Sequence, residues 1–143
     1  TIECWVRLEA FGGGWVCLVC RGQPGSSSDQ SFGLYAGNRG CLYFTNLGGT
    51  VQTPDGAVKV GVWTHVVGTI DAKSGEMGVH VNGECVTKIA SAKGVENRGG
   101  GPLCIGGDTL QYRHGISATF RSVRIYDRAM PAQEVRCRSK SRP

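Results

Sequence analysis

The sequence predicts an all-β chain, a two-sheet antiparallel jelly-roll sandwich with one short C-terminal helix. Three observations predict it. Short apolar runs alternate with polar residues from end to end, which is the period of a strand with one buried face. Glycine fills 23 of 143 positions, well above its usual share of about 7% and without a collagen repeat, as a chain of many tight turns requires. Helix signals occur in one place only, after Met130.

Ile2, Cys4, Val6 and Leu8 alternate with Glu3, Trp5 and Arg7 to give a first strand, and WVCLVCR resumes the alternation beyond Gly12-Gly13-Gly14. SFGLYAG, GCLYFTNL, GTVQTP, WTHVVGTID, MGVHVNG, CVTKIAS, LCIGGD and SATFRSVRIYD follow. That makes about ten strands spaced roughly ten residues apart, the rhythm of a sandwich. The clearest hairpin is MGVHVNGECVTKIA, where Asn82-Gly83 offers the two positive-φ residues of a type I′ turn. A second tight reversal falls at Asp71-Ala72-Lys73-Ser74-Gly75. In PAQEVRCR, Pro131 suits the first helical position and Glu134 the first turn. Val79 and Val81 share the face opposite His80, and Val123 and Ile125 the face opposite Arg124, so all four are expected in the core. The domain is placed at residues 1–135, with 136–143 as a basic tail or linker. The chain opens inside a strand with no preceding turn or cap, as an excerpt that lacks an N-terminal strand would, which points to a larger polypeptide or assembly.

At 143 residues this is one domain with room for a sizeable core. No apolar run approaches the roughly 18 residues that cross a bilayer, so membrane insertion is not expected. The net charge of +5 is concentrated at the end. Residues 113–143 carry eight Lys/Arg against Asp127 and Glu134, whereas residues 1–112 carry eight against nine acids. A neutral body with a solvated basic tail does not call for a nucleic-acid partner. Seven cysteines are many for this length, but an odd number does not close into a disulfide framework. Cys17 and Cys20 form a CxxC inside a strand-like run, without the second pair or the spaced histidine of a zinc site and without the helix start of a redox motif. Several cysteines alternate with Val, Leu and Ile and read as small buried hydrophobes.

The order of segments resembles the laminin-G-like jelly rolls of the concanavalin A-like lectin/glucanase superfamily, with the pentraxins as relatives. TIECWVRLEAFGGGWVCLVCRG is similar to the opening strand pair of that family, and GVWTHVVGTIDAKSGEMGVHVNGECV to its most recognisable block. GPLCIGGD and FRSVRIYDRAMPAQEV resemble its closing strands and last helix. The resemblance implies a binding module, and extracellular or cell-surface placement. In pentraxins, acid and amide residues of two loops bind calcium; Asp29 and Gln30 in GQPGSSSDQS, and Asp108 after LCIGG, look like the matching positions. With one carboxylate in the second loop, calcium binding is expected to be weak. The disulfide that joins pentraxin sheets has no counterpart to Cys4 in THVVG.

Chemistry narrows the function further. Glycoside hydrolysis needs two cooperating carboxylates, and the eleven acids are scattered singly, with no ExDxxE run. No GxSxG, HExxH or P-loop occurs. The chain is therefore read as no enzyme but a non-catalytic module that recognises glycan or protein through sandwich-end loops or a sheet face. Sugar contacts need exposed aromatics with amides and charged groups beside them, and the candidates are Tyr112 and Trp15, with Asn38, Arg39, Asn97 and Arg98 of the two NRG turns. Both NRG segments are more easily read as turn chemistry. Trp63 is read as core, and His65, His80 and His114 as structural or surface residues. The alternative function is a structural or docking domain of a larger intracellular assembly, in which the seven cysteines stay reduced.

Overall fold

The computed structural model describes residues 1–22, 31–46, 48–90, 101–107 and 117–141. Ten strands and one helix form in chain order: β1 (Ile2–Leu8), β2 (Val16–Arg21), β3 (Phe32–Ala36), β4 (Leu42–Asn46), β5 (Gly49–Gln52), β6 (Trp63–Ile70), β7 (Met77–Val81), β8 (Glu84–Ile89), β9 (Leu103–Ile105), β10 (Ala118–Ile125) and α1 (Ala132–Lys140). They make two antiparallel five-stranded sheets, one ordered β10-β1-β6-β7-β8 and the other β5-β4-β3-β2-β9. The first and last strands of the chain pair directly, Ile2 with Ile125 through Leu8 with Ala118, around a bulge at Trp5/Val6.

Alternation decides what lies between the sheets. From the first sheet come Cys4, Val6, Val66, Met77, Val79 and Val81; from the second come Leu18, Leu34, Leu42, Phe44 and Val51, all buried. Phe44 sits so close to β6 that a Cβ on Gly68 would come within 2.7–2.9 Å of its ring. Only glycine leaves β6 flat enough for that ring. The β7–β8 hairpin turns as expected, with Asn82 at φ 51 and Gly83 at φ 90. The reversal at 71–75 also forms, closed by a hydrogen bond from Gly75 N–H to the Asp71 carbonyl of 2.8 Å.

Three sequence expectations are corrected. Ile125 belongs by register to the inner row opposite Ile2, yet it is 44% exposed. It ends an edge strand and lines a cavity there. Pro131 is not the first helical residue but the N-cap, at φ −62 and ψ 146. The helix also runs on to Lys140, through residues the sequence placed in the basic tail, because Arg138 finds partners on the first sheet.

Candidate functional site

Each sheet has an outer face, and the two are chemically different. On the first sheet, Glu3 and Trp5 of β1 stand beside His65 of β6, with His80 on β7. Alternation puts all of them opposite the core row, and α1 partly covers them: Met130 and Val135 pack on Val67 with Tyr126 beside them. Glu3 is 1% exposed. Its Oε1 accepts from His65 Nε2 at 3.0 Å, and its Oε2 accepts from the Tyr126 hydroxyl at 2.7 Å and from Arg138 Nη1 at 3.4 Å. Arg124 approaches Oε1 at 3.8 Å.

Burial holds the His65 pKa below its usual range, outweighing the Glu3 hydrogen bond and charge that pull it up. A neutral ring then donates from Nε2 and leaves Nδ1 as a bare acceptor, and Nδ1 is indeed buried without a partner. Burial, with the nearby His65 charge second, lowers the His80 pKa too. Cys4, on the core side of β1, is a buried free thiol; desolvation, with Glu3 second, pushes its pKa up to about 12. Such a thiol is inert. This face fastens the helix, and its exposed thiol is Cys85 of β8, opposite His80. Trp63, at its margin, is half-buried rather than core, with the guanidiniums of Arg121 and Arg7 at 4.7 and 5.5 Å from its ring.

The second sheet presents aromatics. A bulge in β2 between Cys17 and Val19 lets Cys17 and Cys20 share the outer face with Tyr35, Tyr43 and Cys104, in a cluster separate from the core. The CxxC pair therefore packs against tyrosines, and Cys20 stands opposite Cys104 of β9. Among the described residues, no group of three or more His, Cys, Asp or Glu could hold a metal ion.

At the edge of this face Trp15 is 40% exposed, its ring 5.0 Å from Tyr43, and Tyr35 lies edge-on to Tyr43 at 6.2 Å. Gly37 seats the indole: a Cβ there would stand 3.2 Å from it. Hydroxyls continue the surface. The Tyr43 and Thr50 hydroxyls are 3.2 Å apart, Thr45 and Thr50 are linked at 3.1 Å, and exposed Gln52 pairs with Tyr43 across β4 and β5.

Of the residues singled out from sequence, Asn38 and Arg39 form the exposed turn between β3 and β4, and Arg39 Nε binds Asp55 Oδ2 at 3.0 Å. Asp29, Gln30, Asn97, Arg98, Asp108, Tyr112 and His114 lie outside the described residues. Trp15 was legible as an aromatic near a turn. Tyr35 and Tyr43 were not, because period-two alternation shows that residues share a face without showing which face meets the core.

A laminin G model, that of the concanavalin A-like lectin/glucanases superfamily, matches residues 1–136. The chain belongs to this superfamily. Solved structures with the same fold include a proposed carbohydrate binding protein from Bacteroides ovatus, 18% identical, TM-score 0.75, over 94% of this chain and 39% of that one. A second is the CBM40 module of the Ruminococcus gnavus IT-sialidase bound to α2,3-sialyllactose, 19% identical, TM-score 0.73, over 96% of this chain and 80% of that one. A third is the Trypanosoma rangeli sialidase in complex with sialic acid, 22% identical, TM-score 0.67, over 94% of this chain but 22% of that one. This laminin-G-like chain thus spans well under half of the Bacteroides and Trypanosoma proteins. No curated protein matches it in sequence. Among the described residues no helix is long and apolar enough to cross a membrane.

Proposed function

We propose that this laminin-G-like domain is a non-catalytic glycan-binding module whose contact surface is the outer face of the second sheet. The observation that carries the reading is the exposed Trp15 ring packed at 5.0 Å against Tyr43, beside the hydroxyls of Thr45 and Thr50. A pyranose stacks its C–H face on an aromatic surface and is oriented by a few fixed polar groups. Gln52 and Thr50 are the exposed polar groups here. The CBM40 module bound to sialyllactose supports the glycan class. Weak calcium binding by Asp29, Gln30 and Asp108 belongs to this proposal, and is tested by melting in calcium, magnesium and chelator on the parent and on Asp108→Asn.

The test is a glycan array followed by titration of the best oligosaccharide, read by tryptophan fluorescence. Trp15→Ala should lose binding about ten-fold or more while melting like the parent. Unchanged affinity in Trp15→Ala, or no bound glycan at all, rejects this surface. The free thiols of Cys4, Cys41, Cys85 and Cys137 support the second reading, a docking domain kept in a reducing compartment. Thiol titration of the natural protein under denaturing, non-reducing conditions separates the two: six blocked cysteines support the extracellular module and seven reactive ones the intracellular domain.

A further inference from the structure

The second sheet sets two cysteines side by side on neighbouring strands. Cys20 of β2 is the register partner of Cys104 of β9, and Cys104 packs against the outer-face cluster of Cys17, Cys20 and Tyr35. Among the described strands no other cysteine stands opposite a second one. Cys4 lies between Val123 and Val66, Cys17 faces Tyr35, and Cys85 faces His80. Cys41 and Cys137 lie outside the strands.

The hydrogen bonds on either side fix the spacing of the pair. Gly22 N–H donates to the Pro102 carbonyl at 3.2 Å, and Gly106 N–H to the Leu18 carbonyl at 3.0 Å. These are hydrogen-bonded positions of the ladder, and such positions recur at every second residue, so Cys20 and Cys104 occupy one too. Their Cα atoms are then about 5.5 Å apart, inside the roughly 4.4–6.8 Å that a disulfide bridges. The Cβ atoms of such a pair stand wider than the ~3.8 Å a disulfide prefers, so the bond closes under strain. β9 is three residues long and lies at the edge of the sheet, held from one side only and able to shift towards β2.

We propose that Cys20 and Cys104 form a reversible cross-strand disulfide, made and cut by exchange with a low-molecular-weight disulfide and its thiol, that fastens edge strand β9 to β2. Exposure sets the order of attack, since Cys20 is fully buried and Cys104 only partly. The Cys104 thiolate attacks the small disulfide first, forms a mixed disulfide and expels one small thiolate. The Cys20 thiolate then attacks the Cys104 sulfur, and the second small thiolate leaves. The two cysteine protons and two electrons end on the two small thiols, so the protein pair is oxidised and the small disulfide reduced. Strained disulfides are the labile ones, and an excess of the small thiol runs the exchange backwards. The bond depends on the β2–β9 register and not on glycan binding.

The test incubates the reduced, folded chain with glutathione disulfide, quenches with iodoacetamide and maps the cysteines by fragment-ion mass spectrometry. The product should have lost two hydrogen atoms and join Cys20 to Cys104, and excess reduced glutathione should return both thiols. Cys17 lies three residues further along β2, about 10 Å away, so the Cys20 link should exceed any Cys17–Cys104 link about ten-fold or more. The exposed Cys85 and Cys137 should each carry a single glutathione instead. In urea the preference for the Cys20–Cys104 pair should vanish. Cys20→Ala should stop at the mixed disulfide on Cys104, and because the parent is mapped directly, a misfolded variant would not blunt the test. Four results overturn the proposal: a Cys17–Cys104 link in comparable yield, Cys20 and Cys104 both alkylated while Cys85 takes up glutathione, the same pairing in urea, or a link that excess reduced glutathione does not open.

Discussion

The carboxylate of Glu3 meets the imidazole of His65 at 3.0 Å, and both side chains are withdrawn from solvent, at 1% and 0% exposure. The contact links the first strand to the sixth, 62 positions apart, and the Tyr126 and Arg138 bonds to the same carboxylate extend it to the chain's end. Glu3 thus fastens three distant stretches at a single point. Glu3→Ala would leave the His65 donor buried and unpaired and release Arg138. The expected loss is about 3–5 kcal/mol in urea unfolding, the range for breaking a buried charged cluster. Glu3→Gln, which keeps the shape and an acceptor, should lose less. Equal losses in the two variants would show that the negative charge, and not the volume or the acceptor, is what this site requires.

His65 and His80 make stability depend on pH. Burial lowers both pKa values, so the unfolded chain takes up protons first, near its ordinary pKa of about 6.5. Stability is then full above that pH and falls as the pH drops below it, with a slope of up to about 1.4 kcal/mol per pH unit for each histidine. The charges around His65 are Glu3, Arg138 and Arg124, and those around His80 are His65, Glu76 and Glu84. Urea midpoints from pH 7.5 to 5.5 should decline, and His80→Gln should flatten the decline. A parent that is equally stable across this window would refute the burial argument.

The contact between Gly68 and Phe44 predicts a paired result. Gly68→Ala places a methyl within 3 Å of the Phe44 ring and should cost about 1–3 kcal/mol by overpacking. Phe44→Leu alone also destabilises, by removing buried surface. The double variant should be more stable than the two losses added together predict, since the smaller side chain vacates the space that the new methyl needs. Simple additivity would show that the sheets can separate slightly at no cost.

Much of this was readable from the residues. Alternation gave the strands, and Asn82-Gly83 gave the hairpin, because positive φ at two successive positions restricts the residue types so strongly. What alternation lacks is a sign. It could not tell the tyrosine face of β3 and β4 from a core face. It placed Ile125 with Val123 because it carries no information about where an inner row runs out of sheet to cover it. The helix was ended too soon because CRSKSR has no apolar stripe; its order comes from Arg138 reaching Glu3 and from the Gly83 turn beneath Arg136 and Ser139, contacts between residues far apart in sequence. The CxxC pair changed meaning through a bulge that no local pattern announces.

The core can be tested at one inner position. Val81 is buried at the end of β7, opposite Val66 in the register with β6. Val81→Asp would place a carboxylate against Val66 and Val79 without a cation to meet it. The penalty should be several kcal/mol, on the order of a domain's whole stability margin. Circular dichroism should show a largely unfolded chain at 37 °C. A variant that melts with the parent would mean that residue 81 turns outward and that the β6–β7 register is wrong.

Hydrolysis of glycosides should be absent, and the acids themselves give the reason. A glycosidase needs one carboxyl whose pKa is raised, so that it still carries a proton to donate near neutral pH, and a second one ionised beside it. Among the described acids with a resolved shift, the direction is the opposite. The Thr119 and Arg7 side chains lower Glu9, the amides of Lys73 and Ser74 lower Asp71, and Arg128 and Arg138 lower Glu134. Asp55, Glu76 and Glu84 are each in an ion pair with a surface cation, and Glu3 is enclosed by His65, Tyr126 and Arg138. Each of these carboxylates is already held by a cation, a hydroxyl or a backbone amide of its own surroundings. Incubation with a fluorogenic sialoside and with β-glucan should therefore release no product above buffer at any pH from 4 to 8. Turnover that copurifies with the protein and disappears when a single acid is replaced would reassign the domain as an enzyme.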